Sequence, residues 1–330
     1  MTTMLENLQA ILPRIAPGAD RVEGLQQLSG GASQEIWRFD LIQTDQGVQK
    51  RTPLVLRRAP GGDLAPGHGI GLEAEAALIS AAGARGVPVP AVRLVLRPAD
   101  GLGHGFIMAF VEGETLGGRI VKSPALAAAR ASLAHECGTI LARIHAIDPA
   151  PFPMLAAASP AELVTQWRHS YRNGGTRRPV FDLALNWLDK TSPKPAPLPC
   201  VVHGDFRNGN LMIGPDGVRA VLDWELAHLG DPLEDLGWLC VNSWRFGQID
   251  KPVGGFGPRE DLWAGYEAAC GRRVDRAASH WWEVFGTMRW GVICASAHAA
   301  FKGGDPTVER AMIARRTSET EIDLLRLLAD

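Results

Sequence analysis

The sequence predicts an α+β protein in two parts: a strand-rich N-terminal part carrying one helix, then a larger, mainly helical part. Two patterns predict it. Between residues 25 and 111, short alternating apolar runs are punctuated by Gly, Pro and Asp, and one helical stretch interrupts them near residues 72 to 84. From Pro124 onward, apolar residues recur at helical spacing instead. A chain of 330 residues suits one large domain or two lobes with a cleft between them, and can bury a sizeable core.

In chain order, residues 1–24 carry a weak helical pattern through Leu5, Leu8, Ile11 and Leu12, interrupted at Pro13 and Pro17. Leu25 to Leu41 reads as strand, turn, strand, with Gly30, Gly31 and Ser33 in the turn. Paired glycines there let backbone N–H groups approach phosphate oxygens with no Cβ in the way. Pro53 to Arg58 is the next strand, and alternation lets only one of Arg57 and Arg58 face inward. Ala59 to Gly71 is too rich in Gly and Pro for regular structure. Leu72 to Ala84 reads as a helix bearing Glu73 and Glu75, which lie about 200° apart around its axis and cannot share one role. Strands follow at Ala91 to Leu96 and Gly105 to Val111.

The second part begins with an Ala-rich helix from Leu126 to Ile147, with His145 near its end as a structural or capping residue. Helices are expected over Glu162 to Tyr171 and Val180 to Leu188, flanking Gly174-Gly175. The Pro-rich stretch Thr191 to Pro199 is an extended connector. Further helices are expected over residues 259–270, 276–300 and 308–328, with Trp281, Trp282, Phe285, Met288 and Trp290 as core.

Composition narrows the function. Basic and acidic residues number 34 and 36, so neither nucleic acid nor an anionic membrane is the expected main partner. The five cysteines are scattered without a Cys-x-x-Cys pair, and no apolar run approaches membrane-spanning length, which reads as a soluble, cytoplasmic protein. No Gly-x-Ser-x-Gly elbow supports a serine hydrolase, and no Cys or His pair has zinc spacing. Gly101-x-Gly103-x-Gly105 lacks the dinucleotide-binding spacing.

The chemistry gathers in His203-Gly204-Asp205-Phe206-Arg207-Asn208-Gly209-Asn210, with Asp223 eighteen residues beyond Asp205. Strand-like runs flank it: Cys200-Val201-Val202 before, Leu211-Met212-Ile213 after, then Arg219 to Leu222 beyond a Gly214-Pro215-Asp216-Gly217 turn. A loop, a hairpin and a second strand end would gather Asp205, Asn210 and Asp223 at one edge. One carboxylate would then orient a hydroxyl while an amide and a second carboxylate hold magnesium, as phosphoryl transfer requires.

Asp, four residues, Asn, then a strand-borne Asp resembles the catalytic loop and metal-binding Asp of kinases. The His-Gly-Asp opening and the Asp223-Trp224-Glu225 sequence resemble the aminoglycoside phosphotransferase and choline kinase-like family of small-molecule kinases. The run Leu222 to Trp238 resembles the branch that includes the kinase-like domains of acyl-CoA dehydrogenase fusions. This resemblance implies a bilobal, protein-kinase-like fold: residues 1–110 as a small nucleotide-binding lobe with an antiparallel sheet and one helix, a hinge at 110–113, and residues 111–330 as a larger helical lobe that binds substrate.

It also implies roles. Asp205 would orient the acceptor hydroxyl and Arg207 would steady the γ-phosphate. Asn210 and Asp223 would bind Mg2+. Arg57 would take the place of the phosphate-binding Lys, with Glu75 as its helix partner, and the Gly30, Gly31 and Ser33 turn would cover the phosphates. Phe110 and Val111 would meet the adenine edge. His203 and Asp235 would support the loop, Asp231 would serve as a helix cap or turn residue, and Glu225 would reach a second metal ion through water. The cofactors are then ATP, with GTP as the alternative, and Mg2+. The acceptor is a small-molecule hydroxyl, with a hydroxyacyl-CoA as the working case. The rivals are an aminoglycoside or choline/ethanolamine kinase and, from another class, a non-catalytic nucleotide-binding module.

Overall fold

The computed structural model describes residues 2–28, 34–60, 69–174, 177–196, 198–304 and 308–329. The chain divides into two compact units, Met1–Gly113 with Arg219–Ala227, and Glu114–Val218 with His228–Asp330. Against the expected single boundary near residues 110–113, the segment Arg219–Ala227 belongs to the first unit. Backbone bonds tie it there: Val221 N–H donates to Pro88 O (2.8 Å), and Trp224 N–H donates to Glu75 Oε1 (3.2 Å).

The first unit opens with α1 (Thr2–Ile15), which continues through Pro13 where an interruption is expected. The proline sits in the last turn, where it costs one backbone bond, and Leu8, Ile11 and Leu12 bury the helix against the sheet. Strands β1 (Ala19–Leu28), β2 (Glu35–Asp45), β3 (Val48–Arg58), β4 (Val92–Val95) and β5 (Gly105–Ala109) form one antiparallel sheet in the order β1-β2-β3-β5-β4. Strands β2 and β3 run longer than expected and meet at Gln46-Gly47, both at positive φ (47° and 81°), as a two-residue hairpin requires. Their far ends carry polar residues on both faces and extend into solvent, so no apolar alternation marks them.

Alternation along β3 puts Leu54 and Leu56 into the core shared with α1, Trp37, Phe39 and Ile107. Arg57 therefore emerges on the opposite face, toward α2 (Leu72–Ala84). Arg58 turns back to Glu35 (2.7 Å).

The second unit holds α3 (Gly117–Lys122), α4 (Ala127–Arg130), α5 (Leu133–Ile144), α6 (Pro160–Asn173) and α7 (Pro179–Lys190). The long helix expected from Leu126 to Ile147 is broken between α4 and α5, where Ser132 Oγ donates to Ala129 O (3.2 Å). Ser159 and Glu162 form a capping box at the start of α6. Strand β6 (Cys200–Val202) follows, then β7 (Leu211–Gly214), and the chain turns at Pro215-Asp216 into β8 (Gly217–Val221), where it crosses to the first unit. On return, β9 (His228–Gly230) pairs antiparallel with β6.

The remaining helices are α8 (Leu233–Cys240), α9 (Arg259–Cys270), α10 (Arg276–Lys302), α11 (Val308–Ala314) and α12 (Thr317–Ala329). The single closing helix expected from Val308 to Leu328 is two, parted where Thr317 Oγ1 donates to Ala314 O (2.8 Å). Trp281, Trp282, Phe285 and Met288 of α10 pack with Phe181, Leu185 and Leu188 of α7 as core, as their spacing predicts. Trp290 instead packs against Trp238, Val241 and Trp244.

Candidate active site

In the second unit the loop after β6 is held from below by Asp235, at the start of α8. Its carboxylate, fully buried, accepts the backbone N–H of His203 (2.7 Å) and of Gly204 (2.9 Å). His145 Nε2 lies 3.1 Å from the same carboxylate, and its Nδ1 lies 3.0 Å from the Tyr266 hydroxyl. Burial works against the Asp235 carboxylate, yet the His145 hydrogen bond and the charges of His145 and His203 hold its pKa below the ordinary value. Gly204 adopts φ +79°, a conformation that L side chains rarely adopt, and there the chain turns toward Asp205. His203 is fully buried, and its Nδ1 accepts the Asp205 N–H (3.2 Å). Asp231 accepts the Leu233 N–H (2.8 Å) as a turn residue ahead of α8.

The Asp205 carboxylate is surrounded by donors. Oδ1 accepts from Arg207 Nε (3.0 Å) and Trp238 Nε1 (2.8 Å), and Oδ2 accepts from Asn210 Nδ2 (2.7 Å). Asn210 Nδ2 also donates to Asp205 O (2.9 Å). With the amide nitrogen spent on Asp205, Asn210 Oδ1 faces away from it and suits a hard cation. Arg207 Nη1 donates to Asn208 O (2.9 Å), and its guanidinium lies 4.7 Å from the Trp244 ring centroid. Arg207 thus pairs with the Asp205 carboxylate through Nε, while Nη1 turns back to the loop's own backbone.

In the first unit Arg57 is the hub of three carboxylates. Its Nε lies 3.2 Å from Glu75 Oε2, and its Nη2 lies 2.7 Å from Asp223 Oδ1 and 3.7 Å from Glu225 Oε2. Glu73 points elsewhere, toward His104 (2.8 Å). Burial pushes the Glu75 carboxyl up to about 7, with Arg57 pulling the other way. Burial alone would lower the Arg57 pKa, but the three carboxylates hold it above the ordinary value. Asp223 has left-handed backbone (φ 65°, ψ 65°), unusual for a residue with a side chain.

Phe110 and Val111 follow β5, half-buried. Phe110 N–H donates to Pro53 O (3.1 Å), and Arg38 covers its ring at 4.6 Å. Gly30, Gly31 and Ser33 lie outside the described residues. Among the described residues no group of three or more His, Cys, Asp or Glu could hold a metal ion. No helix among them is long and apolar enough to cross a membrane.

Sequence reasoning missed Trp238 and Arg289, both far from the loop in the chain. Trp238 lies within the run Leu222 to Trp238, but its aromatic type signals a core position, and nothing local marks Arg289 as facing Gly204.

Residues 24–272 match the model of the phosphotransferase enzyme family. Acyl-CoA dehydrogenase family member 10 of Mus musculus is 31% identical over 223 residues, covering 62% of this chain and 20% of that protein. The chain thus spans about a fifth of the length of that relative. Among solved structures, an aminoglycoside-phosphotransferase-like protein of Ralstonia eutropha superposes with a TM-score of 0.75 at 23% identity, covering 98% of this chain and 97% of that one. Spectinomycin phosphotransferase in complex with ADP and spectinomycin superposes with a TM-score of 0.65 at 12% identity, covering 99% and 98%. These likenesses bear on fold.

Proposed function

The chain belongs to the phosphotransferase enzyme family and is a small-molecule kinase, and from that premise we propose that it moves the γ-phosphate of ATP to a metabolite hydroxyl, with a hydroxyacyl-CoA as acceptor. The observation that carries this reading is the Asp205 carboxylate, fixed by Asn210, Arg207 and Trp238 on a loop anchored by Asp235. A carboxylate so placed orients a hydroxyl and takes its proton. The acceptor oxygen bonds to the γ-phosphorus as the bond to the bridging oxygen breaks, the proton passes to Asp205, and ADP leaves.

Asn210 and Asp223 would hold Mg2+, which neutralises phosphate charge when bound. Arg207 would steady the γ-phosphate. Arg57, positioned by Glu75, would meet the phosphates together with Gly30, Gly31 and Ser33, while Phe110 and Val111 would border the adenine. ADP in a structural neighbour supports a nucleotide cofactor, ATP before GTP. The five cysteines, none in a disulfide, support a cytoplasmic setting.

The acceptor reading rests on three supports. The name of the mouse relative points to acyl-CoA metabolism. Beyond Leu239 basic and acidic residues nearly balance, unlike the acidic face that a polycationic antibiotic would require. A choline cage needs open aromatic faces, yet guanidiniums cover two tryptophans beside Asp205: Arg207 over Trp244 (4.7 Å) and Arg289 over Trp238 (4.4 Å).

The test is ADP formation from MgATP with a hydroxyacyl-CoA, choline and an aminoglycoside in turn. We expect turnover with the thioester, and we expect Asp205→Asn to bind nucleotide without turning it over. No turnover with any acceptor, alongside intact nucleotide binding, would leave the non-catalytic module.

A further inference from the structure

Trp238 belongs to α8, yet its indole reaches the catalytic loop: Nε1–H donates to Asp205 Oδ1 at 2.8 Å. Arg207 Nε donates to the same oxygen at 3.0 Å. A carboxylate oxygen has about two lone-pair directions, so Oδ1 is filled by protein donors. Oδ2 receives one, from Asn210 Nδ2 at 2.7 Å, and retains a direction for an incoming hydroxyl.

The ring of Trp238 is itself gripped. The Arg289 guanidinium lies 4.4 Å from its centroid, and the Trp244 ring lies 5.3 Å away at 60°. Arg289, on α10 and 9% exposed, also donates Nη2–H to Gly204 O (3.1 Å), and its Nη1 lies 3.5 Å from Glu234 Oε1. One arginine thus fixes both the tryptophan and the loop on which Asp205 sits. The torsion that sets the plane of an Asp carboxylate is broad and soft. Without the indole, Arg207 alone, part-exposed on a flexible stem, would hold Oδ1, with Asn210 on Oδ2, and would leave that edge of the plane loose. A rigid, buried indole does not.

We propose that Trp238 is a positioning residue for phosphoryl transfer: its indole N–H, locked by Arg289 and Trp244, turns the Asp205 carboxylate so that Oδ2 meets the acceptor hydroxyl. The proposal rests on the kinase reading above, and its test separates the two.

Trp238→Phe keeps a ring between Arg289 and Trp244 and removes the donor. With MgATP and the hydroxyacyl-CoA as probe, kcat should fall about tenfold or more while KM for ATP stays within about twofold. Arg289→Lys, which keeps the charge but loses planar stacking, should lower kcat in the same direction and by less; it serves as the second variant should Trp238→Phe fold poorly. The contact has its own readout. In full-length protein labelled with 15N at tryptophan, the indole proton that disappears in Trp238→Phe should shift upfield in Asp205→Asn more than any other indole proton. A folded Trp238→Phe protein with wild-type kcat, or a Trp238 indole proton indifferent to Asp205→Asn, would overturn the proposal. Absence of turnover in the wild type would count against the kinase reading, and the indole shift would still decide whether Trp238 holds the carboxylate.

Discussion

Replacing Asp235 with Asn is the sharpest probe of how the loop is held, because it changes one oxygen to nitrogen with no change of shape. In the native protein the carboxylate receives two backbone N–H groups, His203 at 2.7 Å and Gly204 at 2.9 Å, and His145 at 3.1 Å, all out of water. An amide offers one oxygen, so one backbone N–H must face an NH2 group instead. A lost hydrogen bond to a charged acceptor costs about 1.5–3 kcal/mol, and a buried unpaired N–H adds about 1–3 kcal/mol. The saving from not burying a charge is already outweighed here, since the Asp235 pKa lies below its ordinary value despite burial. We therefore expect a loss of about 3–5 kcal/mol, which for a unit of this size lowers Tm by roughly 10 °C.

The pH dependence has a definite sign. A carboxyl whose pKa is lowered on folding contributes stability above its unfolded pKa, about 4, and loses it as pH falls through the folded value. The gap between wild type and Asp235→Asn should be full at neutral pH and narrow as pH falls below the unfolded pKa toward the lowered folded one. Calorimetry at both ends of that range, with hydrogen exchange at the His203 and Gly204 amides, reads the effect. An Asp235→Asn protein that melts with the wild type at neutral pH and keeps both amides protected would refute the anchoring argument.

Arg57→Ala strips the buried Glu75 (2% exposed) of its cation, and a carboxyl whose pKa is already up to about 7 will rise further. Its ionisation penalty is absent below the unfolded pKa and grows as pH rises through the folded one, so the variant should lose more Tm at about pH 8 than at about pH 5.5; an equal loss at both would show that Glu75 does not sense Arg57. Gly138→Ala should destabilise although Ala favours helix by about 1 kcal/mol. A Cβ there would lie 2.0 Å from Leu262 O and 2.7 Å from Tyr266 N, so α5 and α9 must part, and urea unfolding should show a net loss of about 1–3 kcal/mol.

What could be read from the chain and what could not divide along a physical line. The resemblance of the run His203 to Asn210 to a kinase loop singled out Asp205 and Asn210, and the structure brings Asn210 Nδ2 onto Asp205 and sets Asp235 beneath His203 and Gly204. Helix rotation shows only that Glu73 and Glu75 cannot share a role; the resemblance chose Glu75, and it is Glu75 that lies against Arg57 while Glu73 meets His104. The extent of β2 and β3 was not, because residues 43–51 are solvated on both faces and burial alone creates alternation. The breaks after Arg130 and Ala314 escaped because they fall within stretches of unbroken helical periodicity, at Ser132 and Thr317, whose hydroxyls donate back to Ala129 O and Ala314 O. The return of Arg219–Ala227 to the first unit was invisible because it depends on Pro88 and Glu75, more than a hundred residues earlier. Trp238 shows the limit most clearly: its type and apolar neighbours mark a core position, and only its N–H distinguishes it from one.

Arg rather than Lys at position 57 was the one feature that favoured a module without catalysis, and in the first unit that arginine lies among three carboxylates. One cation serves three carboxylates, Glu75 through Nε and both Asp223 and Glu225 through Nη2. An ammonium is a compact point charge on a flexible stem, whereas a guanidinium presents separate N–H groups in a fixed fork. It can lie against the helix acid along one edge while the other meets a different partner. The extra acid, Glu225, sits two residues beyond Asp223 and adds to the negative charge beside the strand cation. The two contacts differ in kind: Nη2 donates a hydrogen bond to Asp223 Oδ1 at 2.7 Å, whereas Nε meets Glu75 Oε2 at 3.2 Å as an ion pair without a hydrogen bond.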